Sequence, residues 1–348
     1  KDKRMKKTLA DLGWFNAEDF KNYNIGSCSP KQLGIILDHF ELRAICHSDK
    51  RFSSDNFLNI SGDEAAFDGT EEAEEHADRL ISYPKMVSSN EMARLLKNRL
   101  QYRQQQWHDI WPFTLEISNR GQCTVTFQAM HPNAKAYTYF LLALYAKYIH
   151  SKAEANTYRA LFEGCCFHLA KRLFPEEGGW VVKRSGAGAD GTDAYTGNQN
   201  EKLAAISKDL YLCQDNSGQL PSSSGDGGID LVVFHQLYDN RGNLPVVFMQ
   251  CACSCEVDEL ERKTWDVCHT RLKNRLKLDV MHEWFLFSPY DWFDSIQPNR
   301  FVCANNDAVI FDRGRILKSM HKLGVDVVLS EAINGQVSEF IDAQENFI

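Results

Sequence analysis

The run Gly225-Asp226-Gly227-Gly228-Ile229-Asp230-Leu231-Val232-Val233-Phe234 delivers one carboxylate, that of Asp230, to the head of an apolar strand. A turn at Asp239–Asn243 separates it from a second apolar run, Leu244 to Ala252, which carries Gln250 and Cys251. Paired as a hairpin, the two runs would set the Asp230 carboxylate beside the Gln250 amide and the Cys251 carbonyl. Carboxylate and carbonyl oxygens suit hard dications such as Mg²⁺ or Mn²⁺. Asp226 reads as a turn residue, since Asp-Gly favours that geometry. Asp230 does not, because an acid opening an apolar strand beside a glycine-rich turn is better explained by binding than by folding.

These residues resemble the core of the restriction-endonuclease-like PD-(D/E)XK nucleases, in particular the Mrr-like branch. There a GDGGID strand is followed by a hairpin partner ending in Gln-x-Lys. Gly225 to Asp230 and Gln250 match that pattern, and Ala252 stands where the lysine would be. Asp307-Ala308-Val309-Ile310-Phe311-Asp312-Arg313 is similar to the late strand and Asp-Arg turn of some such nucleases in bacterial defence loci. The resemblance spans residues 155 to 320 or so.

The resemblance implies a metal-dependent DNA endonuclease, the effector of a prokaryotic anti-phage defence or restriction system working with protein partners. A bound Mg²⁺ or Mn²⁺ would activate water and offset charge on the scissile phosphate. Asp230, Gln250 and Glu163 would hold it, with Cys251 contributing its carbonyl. Glu163 is favoured over Glu201 as the helix acid because a strand follows its helix. A lysine should stabilise the developing charge. With Ala252 unable to do so, Lys263, flanked by Arg262 and Trp265, is the first substitute and Lys273 the second. Arg262, Lys273 and Arg275 would contact DNA. Each of these glutamates and lysines has a plain alternative as a solvated helix charge. Two other classes stay open: a catalytically inactive nuclease-fold subunit serving as a binding or assembly module, and an RNA-cutting toxin.

At 348 residues the chain is long for one domain, so two units are expected: 1–150, an accessory region, and 151–348, a nuclease-like domain. Hydrophobic content of 43% and charged content of 25% are those of an ordinary soluble globular protein. No apolar run is long enough to span a bilayer, and the basic start, Lys1 to Lys7, leads into no signal-peptide core. Eleven scattered cysteines point to reduced thiols in a cytoplasm. Cys251, Cys253 and Cys255 would share one face of an extended strand. Without Cys-x-x-Cys spacing or a nearby histidine they read as small buried hydrophobes in preference to zinc ligands. His168 and His235 read as core or interface residues.

A net charge of −8 is awkward for a DNA binder. The acid gathers at Asp63-Glu64 and Glu71–Glu75, however, while Arg262-Lys263 and Arg271–Lys277 follow the candidate site. The glycine-rich Gly186–Gly191 lacks the Lys-Ser/Thr ending of a phosphate loop, and no Gly-x-Ser-x-Gly marks a hydrolase serine.

These residues need a scaffold. Apolar spacing predicts short helices over 5–45, a loop over 47–70, helices over 71–81 and 90–107 with Asn90 as N-cap, and a hairpin across Asn119-Arg120-Gly121. Helices follow at 131–149 and 153–173, a strand at 179–184, a helix at 198–212, and then the hairpin. Helix 256–278, strand 283–287, strand 308–311 and a final helix at 315–323 complete the chain. The expected fold class is α/β: a restriction-endonuclease-like central mixed sheet flanked by helices, preceded by a mainly helical region with one β-hairpin. The order α, β, β, β, α, β is the one the resemblance implies.

Overall fold

The computed structural model describes residues 33–54, 89–149, 152–186, 191–212, 228–254, 257–268, 272, 276, 278, 281–292 and 308–342. The turn residues 225–227, the helix expected at 71–81, Cys255, Lys273, Arg275 and Asp307 lie outside them. The chain divides into two compact units: 1–139 with 292–302 and 334–348, and 140–291 with 303–333.

In the first unit, helices α1 (Leu33–Cys46) and α2 (Ser89–Gln106) accompany a three-stranded antiparallel sheet ordered β1-β3-β2. Strands β2 (Phe113–Ile117) and β3 (Cys123–Phe127) form the expected hairpin, turning at Gly121 with φ 83°. The third strand, β1 (Arg51–Ser53), corrects the expectation of a loop over 47–70 and of a lone hairpin: Phe52 pairs with Val125 and is buried. Helix α2 begins at Ser89, so Asn90 lies within its first turn and does not precede it.

An ionic cluster sits fully buried in this unit. Arg103 donates to Glu41 at 2.5 Å and to Asp38 at 3.4 Å. Glu41 also accepts from Trp111 Nε1 at 2.7 Å and the Tyr137 hydroxyl at 2.8 Å. Every acceptor on Glu41 is thus matched by a donor, which such a buried charge requires.

The second unit holds a mixed five-stranded sheet in the order β4-β5-β6-β7-β8, built from Trp180–Arg184, Leu231–His235, Val246–Cys251, Glu283–Phe287 and Val309–Phe311. The first three strands form an antiparallel meander, and β7 and β8 continue it in parallel with β6. Leu231 to Phe234 are all buried, as expected for a strand covered on both faces.

Helix α3 (Ala134–Ile149) crosses the division between the units; α4 (Lys152–Leu173) packs against β4 and β6. Helix α5 (Gln199–Asp209) covers the other face, where Leu203, Ile206 and Leu210 share a core with Val232, Phe234, Val246 and Phe248. Helix α6 (Val257–Asp266) contacts β6 and β7, and α7 (Arg313–Leu323) packs on α4. Asp312 caps α7 by accepting from the Arg315 N–H at 2.9 Å. That helix is not the last: α8 (Glu331–Asp342) follows, with Ile333, Val337, Phe340 and Ile341 buried. Among the described residues no helix is long and apolar enough to cross a membrane.

Candidate functional site

Asp230 sits one residue before β5, where Gly228 at φ 81° turns the chain into the sheet. Its backbone is irregular. The N–H donates to Met249 O on β6 at 3.0 Å, while the carbonyl accepts from the N–H groups of Ser185 (2.6 Å) and Gly186 (3.2 Å) beyond β4. A regular strand residue sends both groups to the same neighbour. The departure brings the carboxylate over the next strand: Oδ2 accepts from Gln250 Nε2 and from the Cys251 N–H, both at 2.6 Å. Asp230 and Gln250 are 5% and 1% exposed, so this contact is shielded from water.

Gln250 offers a second feature. Its Oε1 is buried without a hydrogen-bond partner, and the two ends of an amide are assigned from their surroundings. A half-turn of the amide would present Oε1 and the Asp230 carboxylate as adjacent oxygens. Cis ligands around Mg²⁺ stand about 3 Å apart, for metal–oxygen distances of roughly 2.1 Å, so the present 2.6 Å separation needs little adjustment. An oxygen donor set with one orphaned acceptor fits a hard dication.

Glu163, on α4, approaches the same strand end. A Cβ added to Gly186 would overlap both its carboxylate oxygens, so the Glu163 side chain lies against the backbone that holds the Asp230 carbonyl. Asp230 and Glu163 both contribute to raising the Cys166 and Cys251 thiols, after burial, which is the larger cause. Glu201 has a different task. It is the N3 residue of a capping box in which Asn198 accepts from the Glu201 N–H, and Glu201 accepts from the Asn198 N–H at 2.7 Å.

The Cys251 thiol donates to Cys166, across from β6 to α4. Burial pushes Cys165 up to about 12 and carries Cys166, Cys251 and Cys253 upward too, so these are thiols at neutral pH. Strand β6 ends at Cys251, so Cys253 lies beyond it and the expected single strand face does not form. His235 ends β5 edge-to-face with Trp180, at 5.1 Å. His168 is exposed on α4, not in the core.

Lys263 is partly buried on α6, and no hydrogen bond or ion pair joins it to Asp230, Gln250 or Glu163 among the described residues. Arg262 is exposed, and Trp265 on the same helix is 52% exposed. One cation connected to Asp230 through the backbone is a residue the sequence did not single out. Lys202, in the first turns of α5, is 8% exposed and donates to the carbonyls of Ser185 (2.6 Å) and Gly186 (3.1 Å). The Ser185–Gly186 peptide therefore links the ammonium to the Asp230 carbonyl. At the other end of α5, Lys183 on β4 donates to Asp209 at 2.6 Å, so both ends of this helix are fastened to β4 and its exit. A buried lysine has no local signature, because a helix-surface lysine has the same spacing.

The chain matches no protein-family model, and no curated protein or solved structure matches it.

Proposed function

We propose that the chain is a divalent-metal-dependent nuclease that hydrolyses DNA phosphodiester bonds. The observation that carries this reading is the buried contact of 2.6 Å between Asp230 and Gln250, whose Oε1 lacks a partner. When bound, Mg²⁺ or Mn²⁺ supplies Lewis-acid stabilisation of phosphate charge and a more acidic water. Asp230 and Gln250 would hold the cation, and the Cys251 N–H fixes the carboxylate. Glu163 stands ready at Gly186 to orient a water or accept its proton. Arg262 and the exposed Trp265 offer charge and a stacking face to a nucleic-acid strand. A role in prokaryotic defence, with protein partners, rests on the resemblance of Gly225–Asp230 and Gln250 to Mrr-like nucleases.

One observation favours a second reading, a silent nuclease fold that binds or assembles: Ala252 stands at the lysine position and is buried. Incubation of supercoiled plasmid with MgCl₂ or MnCl₂ separates the two. Wild type should nick it, and Asp230→Asn, which keeps the shape and removes the charge, should slow nicking by about 100-fold or more. Intact plasmid in both metals would reject the nuclease in favour of the binding subunit. Cleavage of single-stranded RNA alone would reject DNA as the substrate.

A further inference from the structure

Past Arg184 the chain leaves β4, and among the described residues no backbone N–H reaches the carbonyls of Ser185 and Gly186. Carbonyls shielded from water need donors, and these two share one: Lys202 Nζ on α5, at 2.6 and 3.1 Å. A neutral amide or a water could satisfy them with less desolvation than a buried ammonium requires. Lys202 is 8% exposed, and among the described residues no carboxylate pairs with it, whereas Lys183 on β4 has Asp209 at 2.6 Å. Its charge is directed at the backbone instead. Charge-assisted hydrogen bonds are about twice as strong as neutral ones, so the Ser185–Gly186 peptide is held more firmly than the exit of an edge strand needs.

That peptide is where Asp230 and Glu163 come together. The Ser185 and Gly186 N–H groups donate to the Asp230 carbonyl at 2.6 and 3.2 Å. The Gly186 Cα lies against the Glu163 carboxylate, so closely that a Cβ there would overlap both of its oxygens. One peptide thus fixes the backbone of one acid and the resting place of the other, and Lys202 fixes the peptide.

We infer that Lys202 is a positioning residue for the candidate site, acting through the Ser185–Gly186 peptide on Asp230, which would hold a divalent cation, and on Glu163, which would serve its water. This rests on the nuclease reading for the identity of the cation and adds a residue that neither the motif nor its resemblance assigns. Lys202 does not take the place of the lysine missing at Ala252, because it works through the backbone and touches neither water nor phosphate. The coupling is reciprocal: a cation that binds better when the peptide is held must also hold the peptide better when it binds.

The test uses the full chain and Mn²⁺ alone. Free Mn²⁺ is followed by electron paramagnetic resonance during titration of wild type, K202M, K202R and D230N, each well below its melting temperature. K202M keeps the apolar stem and removes the ammonium. It should bind Mn²⁺ about tenfold more weakly or worse, the scale of loss when a group supporting a metal ligand is removed. K202R, whose guanidinium again offers N–H donors to both carbonyls, should recover most of that loss. A residue that only stabilised the fold would lower the melting temperature and leave the affinity of the folded protein unchanged. A second measurement needs no variant. Hydrogen exchange at Ser185 and Gly186 in wild type, read by mass spectrometry, should slow by a similar factor when Mn²⁺ saturates the protein; unchanged exchange overturns the inference even where K202M fails to fold. K202M binding Mn²⁺ as tightly as wild type, while D230N does not bind, overturns the inference and leaves the nuclease reading standing. Mn²⁺ uptake that depends on Lys202, with plasmid left intact, supports the positioning role and rejects the nuclease. No uptake by wild type overturns both.

Discussion

Replacing Gln250 by glutamate tests whether the Asp230 pair is an ion site, because the substitution keeps the shape and puts a second carboxylate where the amide now stands 2.6 Å away. Two unit charges about 3 Å apart at an effective dielectric near 20 repel by roughly 5–6 kcal/mol. That is equivalent to raising one of the two protonation steps by about 4 pH units, from a usual glutamate value near 4.3 to roughly 8. The folded variant then keeps a proton that the unfolded chain releases. Its stability therefore falls as pH rises from about 4.3 toward 8, losing up to about 1.4 kcal/mol per pH unit.

Lys202, close behind, offsets part of the repulsion, so a loss of about 3 kcal/mol at pH 8 relative to pH 5 is expected, or about 10 °C in Tm for a unit of this size. Mg²⁺ at about one hundred times its Kd should return roughly 2.7 kcal/mol. Calorimetric melts of wild type and Q250E at pH 5 and pH 8, with and without MgCl₂, measure all of this. The exchanged pair D230N/Q250E, with one acid and one amide again, should lose the added pH dependence. A Q250E protein whose melting follows wild type across pH and ignores Mg²⁺ would refute the reasoning, since the two side chains would then not share a dry site.

Gly186→Ala drives a Cβ into the Glu163 carboxylate, the flexible end of a side chain. Stability should change by less than about 1 kcal/mol, while plasmid nicking should fall about 100-fold, the scale for a group displaced by roughly 1 Å; nicking at the wild-type rate would remove Glu163 from the site. Gly164→Ala, one residue from Glu163 with open space where its Cβ would go, should instead raise stability by about 0.5–1 kcal/mol and leave nicking unchanged. In the first unit, burial, aided by Arg43, lowers His39 to about 3 from its usual 6.5. The folded state thus refuses a proton that the unfolded chain accepts, and stability present above pH 6.5 is lost as pH falls, by up to about 1.4 kcal/mol per unit. Denaturant titrations at pH 7 and pH 5 should show a smaller loss for His39→Gln, and equal losses would contradict this.

The hairpin that joins Asp230 to Gln250 was legible because its two apolar runs are long, buried on both faces and separated by a clear turn. The start of α5 was legible to within one residue because its signals, Asn198 and Glu201, act within one turn of each other. Elements that depend on distant partners were not. Strand β1 has three residues and exists because β3 offers it an edge. Helix α8 carries a readable apolar stripe, but Asn334-Gly335 interrupts its propensity, and burial overrides that cost. Ser185 opens a glycine-rich loop in the sequence, and Lys202 has no local pattern that sets it apart from any other helix lysine. Their burial arises only when α5 closes over the end of β4.

What separates a binding site from a well-packed strand end here is the cost the fold accepts. Replacing Ser185 by alanine would remove a buried hydroxyl that has no partner, and in an inert scaffold such a change is neutral or stabilising. The same five-stranded sheet could stand without that hydroxyl, because its core is the apolar face shared by α5, β5 and β6. Asp230 sharpens the point, since its backbone leaves the regular ladder and thereby brings a carboxylate onto a buried amide. The carboxylate and the amide meet at the expense of packing, and under the proposed reading the ligand that repays this is small, cationic and oxygen-seeking.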